Sequence, residues 1–223
     1  MRIGLLGGTF NPIHLGHLHI AEQARTRLGF DQILFIPTGN PPHKSLKTLA
    51  SAQHRLEMVK LAIENSPPFR FSEVEIFSTE ICYTIDTLHK LKTQVEEELF
   101  ILIGLDAFLD LPTWKADDEL LTQANFVVVS RPEFHFSQIK TLPMPIPISE
   151  SDLTALDNKK QDRLDIQTSP ESVLILLDLP PCNISASAIR NHLKQGLSTA
   201  NWLPPSIESY IIENRLYGVK KGA

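Results

Sequence analysis

Residues 3–37 read IGLLGGTFNPIHLGHLHIAEQARTRLGFDQILFIP, and this stretch decides the fold. Ile3 to Leu6 is a short apolar run ending in Gly7-Gly8, the pattern of a buried strand entering a tight turn. From Gly16 to Leu28 the apolar residues Leu18, Ala21, Ala24 and Leu28 recur at helical spacing, and Gly29 stands where a C-cap belongs. Gln32 to Ile36 is a second apolar strand, closed by Pro37. Strand, helix and strand in so short a stretch predict a βαβ unit with parallel strands.

The alternation continues outward. Ser51 caps an expected helix to about Asn65, with Leu56, Val59 and Ile63 facing inward. Phe69 to Ile76 reads as a strand whose alternation slips between Phe71 and Val74, as at a bulge. Thr84 is expected to cap a helix carrying Leu88, Leu91 and Val95. Leu99 to Ile103 is a strand ending at Gly104, Asp117 to Ala124 a helix, and Phe126 to Val129 another strand. From about Ser137 to Ser172 the pattern weakens. Prolines crowd between Pro143 and Pro147 and a polar, charged stretch follows, so an extended or partly mobile insertion is expected, with a disordered linker as the alternative. Val173 to Leu177 restores a strand, and Ser185 caps a helix that Gly196 ends. Pro204-Pro205 opens a last helix toward Gly218, with Ile207, Tyr210, Ile211 and Leu216 on its apolar side.

The expected fold is α/β: a doubly wound parallel sheet with a C-terminal helical segment. Residues 1–223 are read as a single domain with a poorly patterned insertion around 137–172. Ligands of such sheets bind at the carboxyl ends of the strands. Chemistry is therefore expected just after Leu6, Ile36, Ile103, Val129 and Leu177.

Bulk properties narrow the function. The 223 residues are 42% hydrophobic, enough for a sizeable core. Lys+Arg total 21 against 26 Asp+Glu, a net charge of −5, so no global basic surface argues for long nucleic acid. Small anions need only a few local donors. The two cysteines, Cys82 and Cys182, lack metal-like spacing and predict neither a disulfide framework nor a metal knot. The start of the chain lacks a signal-peptide pattern, and no apolar run is long enough to cross a bilayer. A cytoplasmic protein is expected, without nucleic-acid or membrane partners; a homo-oligomer is left open.

Five clusters carry chemistry. Gly7-Gly8-Thr9-Phe10-Asn11-Pro12-Ile13-His14-Leu15-Gly16-His17 puts a glycine turn before a helix N-terminus, a cradle for phosphate. Its spacing is neither GxGxxG nor Walker A. Instead His14 and His17 stand three apart, on one helix face, where two imidazoles can donate to one phosphate. Pro41-Pro42-His43-Lys44 delivers an imidazole and an ammonium on a stiff loop after the second strand. Ser185, Ser187 and Arg190 gather hydroxyls and a guanidinium at a helix start, a set suited to a triphosphate tail. Gly104-Leu105-Asp106 places a carboxylate at a strand end, for ribose hydroxyls or a metal. Tyr83-Thr84 and Trp114-Lys115 offer helix-start amides and a flat ring for stacking. Each has a plainer reading: capping or packed histidines, a solvated loop, a serine cap with a surface arginine, a tryptophan in the core.

In this order the motifs resemble the bacterial nicotinate-nucleotide adenylyltransferase family, within the (H/T)xGH nucleotidyltransferases. The resemblance rests on GGTFNPIHLGH, PTGNPPHK, YTIDTL, IGLDAFLDLPTW, FVVVSRP, ISASAIR and YIIENRLYG, and spans nearly the whole chain. It implies a Rossmann-like nucleotidyltransferase fold that joins ATP and nicotinate mononucleotide, giving deamido-NAD and pyrophosphate. Mg²⁺ would arrive on the ATP, with no tightly bound cofactor. His14 and His17 would contact the ATP phosphates, His17 stabilising the transferring one. Gly8, Thr9 and Phe10 would line the cleft, and Gly104 and Asp106 would lie by the adenosine. Ser185, Ser187 and Arg190 would hold the triphosphate end, and His43 and Lys44 would be phosphate ligands. Thr84 and Lys115 would present backbone amides to the nicotinate carboxylate, with Trp114 stacked on the ring. Two departures stand out. Ala186 and Ser187 replace the usual serine and threonine, and Cys82 replaces a serine before Tyr83. The alternatives are the same chemistry on nicotinamide mononucleotide or phosphopantetheine, and a non-catalytic nucleotide-sensing module.

Overall fold

A computed structural model describes residues 1–41 and 49–219. Seven strands form one sheet: β1 (Arg2–Gly8), β2 (Gln32–Pro37), β3 (Phe69–Phe71), β4 (Glu98–Gly104), β5 (Asn125–Val129), β6 (Arg163–Ser169) and β7 (Ser172–Leu177). Their order is β3-β2-β1-β4-β5-β7-β6. Every neighbouring pair is parallel except β6 with β7. The chain winds outward from β1 through β2 to β3, then crosses back to β4 on the other side. That reversal opens a crevice at the carboxyl ends of β1 and β4, where such sheets bind ligands.

The strands are apolar on both faces because both are covered. Ile3, Leu5, Leu99, Ile101, Phe126 and Val128 join one core, with α3 (Thr84–Lys92), α4 (Leu105–Leu109), α5 (Asp117–Gln123) and α6 (Glu150–Asp157) packed on it. Leu6, Phe100, Leu102, Val127, Val129 and Ile175 join the opposite core. It is covered by α1 (Leu15–Leu28), α2 (Ala52–Ile63), α7 (Ala186–Gln195) and α8 (Pro205–Glu213). The stop signals act where expected: Gly29 and Gly196 end α1 and α7 at φ 66° and 69°. Ser51 and Ser185 accept the amides of His54 and Ala188 at the starts of α2 and α7.

Three expectations are corrected. The strand expected over Phe69 to Ile76 stops at Phe71. Beyond it the chain crosses the end of β2, where the backbone of Gly39 lies against the Glu75 carbonyl; a Cβ on Gly39 would come within 2.1 Å of that oxygen. Thr84 does not cap α3: Tyr83 holds the cap position, Thr84 is the first helical residue, and the helix ends at Lys92, short of Val95.

The third concerns residues 137–172, which form defined elements. A 3₁₀ helix (Phe136–Thr141) takes the carboxylate of Asp157 on the amides of Phe136 and Ser137. Met144, Ile146 and Ile148 are buried while the prolines between them, Pro145 and Pro147, are exposed. This is a period-two strip in which residues without an N–H face solvent. Helix α6 follows, and β6 closes the sheet edge in antiparallel register, Ile166 opposite Leu174. No helix among the described residues is long and apolar enough to cross a membrane.

Candidate active site

The crevice is an open cleft of about 970 Å³, reached by Gly8, Thr9, Phe10, His17, Gly104 and Arg190 among others. At the end of β1 the chain turns sharply. Phe10 adopts φ 46°, a left-handed conformation that bulky residues rarely hold. The turn drives its ring into the core, 2% exposed and edge-on to His17 at 5.0 Å. Gly8 lies against that ring: a Cβ there would sit 3.3 Å from Phe10 Cζ.

The histidines share one face of α1, as their spacing predicts, but they stand at different depths. His17 lines the cleft, whereas His14 is the N-cap of α1, 6% exposed, and lies behind it. The two rings stack at 3.7 Å with 26° between their planes. Gly16 leaves this stack room, since a Cβ at that position would crowd His14 Nδ1 at 3.0 Å and Cε1 at 3.1 Å. Burial, and secondarily the Arg131 charge, lower the His14 pKa to about 4, so its ring is neutral at physiological pH. Its Nδ1 has no hydrogen-bond partner among the described residues. The backbone N–H of His14 donates to His17 Nδ1 at 3.2 Å. A neutral His17 ring must then carry its proton on Nε2, which makes Nε2 a donor.

Opposite, Ser185, Ser187 and Arg190 line the cleft at the start of α7. Ser187 Oγ accepts from Arg190 at 3.1 Å, and the same guanidinium donates to the Asn11 carbonyl at 2.8 Å. Asn11 Oδ1 accepts from the Ala50 amide and the Tyr217 hydroxyl, at 3.0 and 2.9 Å. After β4, Gly104 caps α4, and Asp106 pairs with Arg131 at 3.2 Å. A Cβ on Gly104 would meet both partners of that pair, at 2.3 and 2.5 Å, so a larger residue there would push the pair aside.

Thr84, Trp114 and Lys115 also reach the cleft, at its far side. Trp114 is partly buried against the core. The Lys115 ammonium grips both Asp86 oxygens at 2.8 Å and lies 5.1 Å from the Tyr83 ring centre. Thr84 opens α3, whose first amides have no partner within the helix. His43 and Lys44 lie outside the described residues.

Sequence reasoning missed four residues of this region: Asn11, Arg55, Glu75 and Arg131. Arg131 follows β5 and lines the cleft. Glu75 is buried and donated to by Thr87 Oγ1 at 2.7 Å, and burial pushes its carboxyl pKa up. Arg55 gave a signal: it stands on the apolar stripe of α2 with Leu56, Val59 and Ile63, where a charge has no ordinary place. Among the described residues no His/Cys/Asp/Glu group has the make-up of a metal site.

A reversed parallel sheet, a glycine turn, an imidazole donor and an arginine facing across the crevice define the class: an α/β protein built to bind a phosphorylated nucleotide. Residues 5–192 match the family described as cytidylyltransferase-like. The probable nicotinate-nucleotide adenylyltransferase of Clostridium kluyveri is 39% identical over 214 residues, covering 96% of this chain and 97% of that protein. That of Dehalococcoides mccartyi strain CBDB1 is 38% identical over 219 residues, 97% of each. Among solved structures, Plasmodium falciparum nicotinic acid mononucleotide adenylyltransferase complexed with NaAD superposes with a TM-score of 0.73 over 98% of both chains, at 21% identity. The chain belongs to the cytidylyltransferase-like family and, within it, to the nicotinate-nucleotide adenylyltransferases.

Proposed function

We propose that this enzyme adenylylates nicotinate mononucleotide with MgATP, forming deamido-NAD and pyrophosphate, a step of NAD biosynthesis in the cytoplasm. A phosphate oxygen of the acceptor attacks the α-phosphorus of ATP. The bond to the bridging oxygen breaks in line, and pyrophosphate leaves. Such a transfer asks the protein for alignment and charge stabilisation rather than for a nucleophile. The observation that carries the reading is the His17 imidazole, held at the start of α1 with its donor nitrogen fixed by the His14 amide.

In this reading His17 donates to the α-phosphate as charge builds, and His14 acts from behind as the stacked support of that ring. Gly8, Thr9 and Phe10 line the floor beneath both substrates. Ser185, Ser187 and Arg190 take the triphosphate end, and Gly104 and Asp106 the adenosine. The acceptor's ring stacks on Trp114, and its carboxylate meets the backbone amides of Thr84 and Lys115. His43 and Lys44 remain proposed phosphate ligands.

Amides offer donors only, so they suit a carboxylate and leave half of a carboxamide unmatched. Pyrophosphate release should show higher kcat/KM for nicotinate than for nicotinamide mononucleotide, and none with phosphopantetheine. Equal values for the two pyridine nucleotides would refute the acceptor assignment. No release with any acceptor would leave a nucleotide sensor.

A further inference from the structure

Arg55 is 1% exposed, and no carboxylate among the described residues pairs with it. Its guanidinium spends its donors on backbone carbonyls instead. Nε reaches Ala50 O at 3.1 Å, Nη1 reaches Thr9 O at 2.9 Å and Thr38 O at 2.5 Å, and Nη2 reaches Gly39 O at 3.1 Å. These carbonyls come from three places: the turn after β1, the turn after β2, and the start of α2. A planar fork of five N–H groups can satisfy four acceptors at once; an ammonium on a flexible stem cannot match that geometry.

The peptide plane gives this a consequence. In a trans peptide the carbonyl and the next residue's N–H point in opposite directions. With the carbonyls of Thr9, Thr38 and Gly39 turned down onto Arg55, the amides of Phe10, Gly39 and Asn40 turn the other way. None of these three amides donates to another described residue. Phe10 lines the cleft, with Thr9 and Thr38 beside it, while Gly39 is buried against the Glu75 carbonyl.

We propose that Arg55 is a positioning residue: from beneath, it ties the turn after β1 to the turn after β2 and so fixes the Phe10 amide toward the phosphates of the substrates. This rests on the adenylyl-transfer reading for the identity of those phosphates. The arrangement itself would serve any phosphorylated ligand in this cleft.

The test compares Arg55→Lys and Arg55→Ala with wild type. Folding is followed by circular dichroism, pyrophosphate release by kinetics, and ATP binding by calorimetry. Arg55→Lys keeps the charge and loses the fork; it should remain folded with kcat lowered about 100-fold, as small misplacements of reacting groups do. Arg55→Ala should regain activity with added methylguanidinium and not with methylammonium, a contrast that loss of packing alone would not produce. Wild-type kcat and KM in Arg55→Lys would overturn the proposal, as would equal recovery by the two cations. Should wild type release no pyrophosphate, the adenylyl-transfer reading fails by itself. Arg55 is then judged on ATP affinity: about tenfold weaker binding in Arg55→Lys upholds the proposal, and unchanged binding overturns it.

Discussion

The two sides of the cleft are held by different means. On the side of α1 and α7, polar groups lining the cleft are tied to one another and to the backbone of distant segments. His14 orients His17 through its backbone, Arg190 is tied to Asn11, and Asn11 is tied in turn to Ala50 and Tyr217. On the side of α3, the Lys115–Asp86 pair stands 49% and 41% exposed, and the partly buried Trp114 packs against the core, its backbone N–H on the Leu111 carbonyl. The first side is over-determined, as a site must be to meet charge developing in a transition state. The second can adjust, which suits a pocket that selects an acceptor. Substitutions on the first side should lower kcat; those on the second should act weakly, through acceptor binding.

The largest effect is expected at His17. His17→Ala should lower kcat by roughly 10²-fold or more, the usual cost of losing a preorganised transition-state donor, and change ATP affinity little. Rapid-quench kinetics with parallel calorimetry separates the two. A near wild-type kcat would move the chemistry away from the rigid side and undo the contrast.

The next effect is on stability. A buried His14 with a folded pKa near 4 takes up protons less readily than the unfolded chain, where histidine titrates near 6.5. Between those values the unfolded state binds the extra proton, so stability falls as pH drops through that window and is full above it. The shift corresponds to about 3 kcal/mol at most. His14→Gln removes the titration, so its urea-unfolding stability should decline less than that of wild type between neutral pH and the lower bound. Parallel declines would mean that the ring titrates freely and that the rigid side is looser than its geometry implies.

The same contrast explains what the sequence revealed. The βαβ start was legible because Ile3 to Pro37 holds its apolar periods, its glycine stop and its turn without interruption. Caps such as Ser51 and Ser185 were legible because they act within three residues. Strand β6 and the strip before it were hidden: prolines read as breaks, and only the buried Met144, Ile146 and Ile148 show the period-two order. Strand β3 was overread, because local alternation says nothing of the crossing at Gly39 that ends it. In the site, the motifs marked side chains at the strand ends, while their supports lay out of reach. Arg55 meets Thr9 across 46 residues, Arg190 meets Asn11 across 179, and Tyr217 meets Asn11 across 206. Local spacing placed His14 and His17 on one face, where their rings stack, and could not tell that His17 lines the cleft while His14 is buried.

The smallest effect should come from Lys115. Its ammonium neutralises Asp86, which sits in the first turn of α3, beside the amides assigned to the acceptor's carboxylate. Lys115→Met leaves that aspartate uncompensated, and a like charge then opposes the acid. Both groups face water, where such a pair is worth about 0–1 kcal/mol and is screened by salt. The kcat/KM for nicotinate mononucleotide should therefore fall by less than about fivefold, and the loss should fade as ionic strength rises. kcat should stay at the wild-type level, because the backbone amide assigned to Lys115 survives the substitution. A salt-independent loss of about 100-fold would mean that the ammonium itself binds the carboxylate in a desolvated pocket. The acceptor side would then be as tightly specified as the phosphate side, and the division of labour between the two walls would fall.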